Sequence, residues 1–330
     1  MKHKLLLVFL ALLMVFVSAC GGAGGTSSGP FKVAVVMPSA INDLAFSQSM
    51  YDALVRIQKD MGEENFQFVY SDNMFVVDDA AAALRDYASQ GYNLIIAHGS
   101  QYGASLQEIA PDFPKTSFAW GTAGDTFGLP NVYAYEAYSQ EGGYVNGVIA
   151  ASLSESGILG VVGPIEVGDA KLYVDGFSAG AVATKPDIQV NVNYIGSFSD
   201  VALASEAAQT HVKAGADALT GSAQMVVGAI GVAEEAGIPW FGTQSNQASL
   251  APEIVVVSQV YHWEVLLKDM IEKIQKGTLG GEAYAVSLDN GGLVMEFNDG
   301  YTLPAEVKTL ADQTIEGIKK GEITIGVGGK

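Results

Sequence analysis

Gly176-Phe177-Ser178-Ala179-Gly180 has the G-x-S-x-G spacing of a serine-hydrolase elbow, in which a strand feeds a sharp turn that exposes the nucleophile. Acyl transfer would need that strand directly before the serine and an acid–histidine pair after it. Here the five residues sit inside Ala170 to Ala183, where Leu172, Val174, Phe177 and Ala181 follow helical spacing, and the only later histidines are His211 and His262. The expectation is a helix whose small residues permit close packing. A secreted serine hydrolase acting through Ser178 is the remote alternative. His98 ends an apolar strand and reads as a hydrogen-bonded structural histidine, whereas His211 lies on a polar helix face and reads as solvated. With His3 these are the four histidines, and none pair at i, i+2 or i, i+4. A single cysteine cannot make an internal disulfide or a Cys-cluster zinc site. There is no G-x-x-x-x-G-K-[ST] and no strand-anchored G-x-G-x-x-G. No catalytic residues, metal or cofactor are expected.

Binding chemistry is better represented than catalysis. Several apolar runs end in short polar segments: Ser39 to Asp43, Gly99-Ser100-Gln101-Tyr102, Trp120-Gly121-Thr122, Phe198-Ser199-Asp200, Gly221-Ser222-Ala223 and Gly242 to Asn246. They offer amides, hydroxyls and aromatic rings, nearly without Lys, Arg or His. A phosphate or carboxylate ligand would want guanidinium or ammonium partners. A planar neutral heterocycle wants aromatic faces and amide hydrogen bonds, and these segments favour the second.

The elements that carry these segments alternate. Phe31 to Pro38 is a β-branched run, and Asp43 to Met61 has helical spacing. FQFVYS precedes a helix over Val76 to Gln90, NLIIAHG one over Tyr102 to Ala110, and TSFAWG and NVYAYEAY lead to Gln140 to Leu153. The pattern then restarts: ILGVVGP with Ala170 to Ala183, IQVNVNYIG with Val201 to Ala214, ADALTG with Met225 to Ala236, then IPWFGT and EIVVVSQV. Apolar strands separated by helices predict parallel sheets covered on both faces. Two such runs meeting near Tyr138 predict an α/β fold of two doubly wound lobes with a cleft at the carboxyl ends of their strands. The helix Tyr261 to Lys276, with no buried strand of its own after it, is expected to return to the first lobe, and Leu303 to Gly321 to the second. The expected division is 31–138 with about 261–290, and 139–260 with about 291–330.

The chain has 330 residues, 49% of them hydrophobic and 16% charged, enough for about two ordinary domains with large cores. Its 17 basic against 36 acidic side chains exclude sequence-independent nucleic-acid binding, which lives on lysine and arginine. Met1 to Lys4 carries two lysines, Leu5 to Val17 is apolar, and Ser18 and Ala19 precede Cys20. That is the layout of a signal peptide over 1–19. Val17-Ser18-Ala19-Cys20 resembles a bacterial lipobox, which would make Cys20 a lipidated N-terminus followed by the flexible tether GGAGGTSSG within 20–30. Loss of Lys2 and Lys4 leaves 15 basic against 36 acidic side chains, a net −21, so the anchor and not the surface must hold such a domain at an anionic membrane.

Ile41 to Ser49 (INDLAFSQS) resembles the first strand–helix junction of the basic membrane protein family, bacterial substrate-binding lipoproteins of ABC importers for purine nucleosides and related compounds. The likeness continues through Glu141 to Gly147 (EGGYVNG), Gly196 to Asp200 (GSFSD) and Gly242 to Gln247. It implies a type I periplasmic-binding-protein clamshell, two lobes joined by several crossings, that closes on a ligand and presents it to a membrane permease. Phe46 matches a phenylalanine that stacks on the nucleobase, and Phe198 resembles its opposite face. Asn42 and Asp43 match polar positions beside the base, although Asp43 also suits a helix N-cap. Nucleoside-binding members place carboxylates and a lysine around the ribose, and the matching positions here are Thr122, Gln244 and Tyr261. Trp120 and Trp263 add aromatic bulk nearby, and branches that resemble free-purine binders carry an aromatic residue matching Trp263.

The expected ligand contacts are thus Asn42, Asp43, Phe46, Ser100, Gln101, Tyr102, Trp120, Thr122, Phe198, Gln244, Tyr261 and Trp263. The expected function is capture of a purine base by a monomeric, lipid-anchored receptor on the extracytoplasmic face, with an ABC permease as partner. A nucleoside, sugar or flavin on the same fold is the alternative.

Overall fold

A computed structural model describes residues 29–327. The expected signal peptide, Cys20 and nearly all of the tether lie outside the described residues. Strands and helices are numbered in chain order. The first sheet runs β2 (Phe66–Ser71), β1 (Phe31–Val36), β3 (Leu94–Ala97), β4 (Ser117–Gly121), β5 (Val132–Ala137), β11 (Ala283–Val286), all parallel. The second runs β7 (Gln189–Tyr194), β6 (Ile158–Gly163), β8 (Ala218–Gly221), β9 (Trp240–Gln244), β10 (Val255–Tyr261), β12 (Leu293–Phe297). Its first five strands are parallel and β12 is antiparallel to β10. Each sheet repeats the 2-1-3-4-5 order of doubly wound folds, so the chain reverses direction across the sheet between β1 and β3, and again between β6 and β8.

Burial explains the strand sequences. β3 (LIIA) and β8 (ALTG) are central and buried on both faces, whereas the edge strands β2 and β7 are half exposed and carry Gln67, Tyr70, Asn191 and Asn193. The chain passes from the first sheet to the second after β5, returns after β10 and crosses again between β11 and β12. Helices α1 (Phe46–Met61), α2 (Val77–Ser89), α3 (Gly103–Ile109) and α8 (Glu264–Gln275) flank the first sheet. The second carries α4 (Gln140–Leu153), α5 (Gly168–Thr184), α6 (Val201–Lys213), α7 (Val226–Ala236) and α9 (Ala305–Lys319).

Several sequence expectations need correction. The first helix starts at Phe46 rather than Asp43, because the Asp43 side chain caps it from outside. Tyr261 ends β10 instead of opening a helix, and α8 begins three residues later. A strand does follow α8: β11 pairs with β5 at the edge of the first sheet, and only Val286 of its four residues is buried. His211 is buried, not solvated. Its ring hydrogen-bonds the Val161 carbonyl at 3.1 Å, and burial lowers its pKa.

Ser178 lies in the middle of α5 and its hydroxyl donates to the Val174 carbonyl one turn back, so the residue has no elbow geometry. The glycines around it serve packing. Gly176 and Gly180 of α5 face Gln140 and Tyr144 of α4, while Gly143 and Gly147 of α4 face Tyr173 and Phe177 of α5. In each case an added Cβ would overlap the opposing backbone. Only hydrogen fits at these four positions, so the two helices lie backbone against backbone. Gly147→Ala should therefore lower the stability of the chain by about 1–3 kcal/mol through overpacking, whereas Ser178→Ala should be near neutral; urea denaturation of the two variants checks this.

Candidate ligand-binding cleft

Both reversal points open onto one narrow cavity between the lobes, with about 50 Å³ of enclosed space. The first lobe contributes Pro38 after β1, Phe75 after β2, Gly99, Ser100 and Gln101 after β3, Thr122 after β4, and Phe46 at the start of α1. Its partner lobe contributes Val167 to Ala170 after β6, Phe198 after β7, Ala223 and Gln224 after β8, and Gln244 ending β9. The lining holds three phenylalanines, three glutamines, two hydroxyl side chains and one carboxylate, and no Lys, Arg or His.

Phe46 is fixed from two sides. Asp43 accepts hydrogen bonds from the amides of Ala45 and Gln48 on Oδ1, and from the Ser47 amide and Ser39 hydroxyl on Oδ2. In return Gln48 Oε1 accepts from the Leu44 amide. This reciprocal cap satisfies the orphan donors of the first turn and sets the angle at which Phe46 leaves it. Behind the ring lies His98, stacked at 3.8 Å between centroids and 7° between planes. His98 Nε2 meets the Phe46 carbonyl at 3.1 Å, which can only accept, so Nε2 carries the proton. Nδ1 then accepts from the Tyr135 hydroxyl at 2.7 Å. Burial drives the His98 pKa down to about 3, so it is a neutral spacer.

The expected contacts divide accordingly. Phe46, Ser100, Gln101, Thr122, Phe198 and Gln244 line the cavity. Asn42 is exposed outside it, and both oxygens of Asp43 serve the cap. Trp263 is wholly buried behind Phe46 and His98, edge-on to both rings, and its Nε1 donates to Ser49 Oγ. Tyr261 packs against Trp263. Tyr102 is buried with its hydroxyl on the Met74 carbonyl. Trp120 stacks on Phe127 and donates to the Gly99 carbonyl. These four aromatic residues, expected as contacts from their strand-end position or their family match, are the layer behind the wall. Their place depends on long-range packing that residue type does not encode.

Sequence reasoning missed Phe75, Val167, Asp169 and Gln224. Phe75 and Asp169 follow β2 and β6 as the other candidates follow their strands, so the same rule applied to every strand would have found them. Asp169 also corrects the picture of a pocket stripped of carboxylates. It sits in the first turn of α5, 8% exposed, and burial raises its pKa to about 6.

Backbone conformation singles out the same wall. Thr122, Ala223 and Gln244 line the cavity with φ of 58°, 74° and 74°, and Leu44, two residues before Phe46, has φ 52°. Non-glycine residues held there cost on the order of 1–3 kcal/mol each and mark sites where geometry is imposed. Just before Phe46 the lobes touch directly. Ser245 Oγ donates to the Ala45 carbonyl at 2.8 Å, and Gln247 Nε2 to the Leu44 carbonyl at 3.3 Å.

Residues 31–326 match the Bmp family, described as ABC transporter substrate-binding protein, PnrA-like. A purine-binding protein of Brucella abortus (strain 2308) is 26% identical over 94% of this chain and 88% of its own length. The transcriptional activator protein med of Bacillus subtilis (strain 168) is 27% identical over 89% and 90%. Among solved structures, an ABC transporter system solute-binding protein from Aeropyrum pernix K1 superposes with a TM-score of 0.78. It covers 89% of this chain and 93% of its own at 20% identity, a likeness of fold. Two doubly wound lobes, a cavity at both reversal points and a family match over nearly all described residues converge: the chain belongs to the Bmp family of ABC transporter substrate-binding proteins.

Proposed function

We propose that this protein captures a free purine base outside the cytoplasm and hands it to an ABC permease, held at the membrane by a lipid on Cys20. The observation that carries the ligand class is that each lobe contributes a phenylalanine to the lining, Phe46 backed by His98 from one and Phe198 from the other, with no cation among the lining residues. A flat, neutral heterocycle suits such a slot, because its faces stack while its edge meets Gln101, Gln224 and Gln244. The purine-binding relative supports the same reading. A phosphorylated ligand would leave its charge unpaired here and beside Asp169. Phe75, about half exposed at the cavity edge, supplies further apolar surface for closure.

The first test is calorimetric titration of the full chain in mild detergent with adenine, guanine, hypoxanthine and their nucleosides. Tight binding of a base, with its nucleoside weaker by about tenfold or more, is expected; absence of heat with every purine would sink the reading. Phe198→Ala should weaken base binding about tenfold or more, given ~1–3 kcal/mol per stacked aromatic partner. Anchoring has its own readout. Cys20→Ala should abolish incorporation of labelled fatty acid and move the protein from the membrane fraction to the soluble one.

A further inference from the structure

We propose that Asp169 is the specificity-determining residue of this cleft, accepting a hydrogen bond from the imidazole-ring N–H that a free purine base carries and that a glycosidic bond replaces. The inference rests on the purine reading above and adds the atom by which base and nucleoside are told apart.

Asp169 is more than nine-tenths buried, lies in the cavity wall, and has no cationic partner. Its surroundings are accounted for element by element. From β5 come Glu136, whose like charge disfavours ionisation of Asp169, and the buried Tyr135. From β10 the Tyr261 hydroxyl approaches Oδ2 at 3.5 Å, a long contact. On α5 itself the amides of Asp169 and Ala170 favour the ionised form, while the nearby Lys171 is turned to Asp175 at 2.8 Å and Glu166 at 3.4 Å. The carboxylate is therefore desolvated and under-compensated, a state that a ligand donor relieves.

A second observation points to a ligand at the same place. Gln244 lines this cavity 3% exposed, holds a left-handed backbone, and its Oε1 has no hydrogen-bond partner. Two buried acceptors thus border one aromatic slot, and a ligand edge bearing N–H groups answers both. Asp169 also stands at the seam with a more open polar recess lined by Thr122, Glu136, Tyr138, Gln140, Gly168, Lys171 and Leu172. A sugar on the ring nitrogen would have to pass the carboxylate to reach that recess, losing the N–H on the way.

The experiment is calorimetry on the full chain and its Asp169→Asn variant with adenine, 9-methyladenine and adenosine, after matched thermal melts show both folded. In the wild type, adenine should bind at least tenfold more tightly than 9-methyladenine. In Asp169→Asn, adenine should weaken at least tenfold while 9-methyladenine changes less than twofold. Wild-type adenine affinity should also fall as pH drops below about 6, where Asp169 gains its proton, and this dependence should vanish in the variant. Equal adenine binding by both proteins overturns the assignment. So does a loss confined to adenosine, which would mean that Asp169 accepts from a ribose hydroxyl. Failure of the wild type to bind any of the three instead overturns the purine reading itself, and the assignment falls with it.

Discussion

The cleft depends on a histidine that never touches the cavity. His98 closes β3 with one nitrogen on the Phe46 carbonyl and the other on the Tyr135 hydroxyl, which ties α1 to β5 through the middle of the first lobe. Acceptance by Nδ1 needs the neutral ring, and burial keeps it neutral. With its plane fixed, His98 sets the plane of Phe46 by stacking. Trp263 then closes the stack edge-on, 6.4 Å from Phe46 and 5.7 Å from His98. Trp263 stands where the chain has just crossed back from the second lobe, so the aromatic wall and the hinge share one packing unit.

The second lobe builds its half by other means. Its wall lies at strand ends and at the first turn of α5, where Ala223 and Gln244 sit in left-handed conformations. The strain is held by a dense polar layer beneath. Asn146 reaches the Gly242 carbonyl and the Tyr173 hydroxyl, and Tyr173 shares a hydrogen bond with Thr220, which donates to the Phe241 carbonyl. The glycine faces of α4 and α5 let those helices sit close enough for this layer to form. One lobe presents a ring on an aromatic stack, the other a set of strained polar ends on a hydrogen-bonded floor.

Much of this was legible in the chain itself. The alternation of apolar runs with helical spacing located ten of the twelve strands and pointed to the strand ends as the site. It missed β11 and β12, which follow one another without a helix between them and join the edges of the two sheets. His211 was misread because its partners on the buried stripe of α6, Ala204, Ala207 and Ala208, are too small to look like a core face. Tyr261 and Trp263 match family positions around the ligand, yet here other aromatic rings fold over them and bury them behind the wall. Asp169 stands beyond the four-residue loop Pro164 to Val167, in the first turn of α5, and the strand-end rule reaches it only when the segment after β6 is read as well.

Ser245 and Gln247, both buried, reach across to the carbonyls of Ala45 and Leu44, the two residues before Phe46. Neutral hydrogen bonds contribute about 0.5–1.5 kcal/mol each, so the pair favours this apposition of the lobes by roughly five- to 160-fold. The backbone that carries Phe46 is thus held from both lobes, by Asp43 in its own and by these two donors from the other. Any separation of the lobes must first release it.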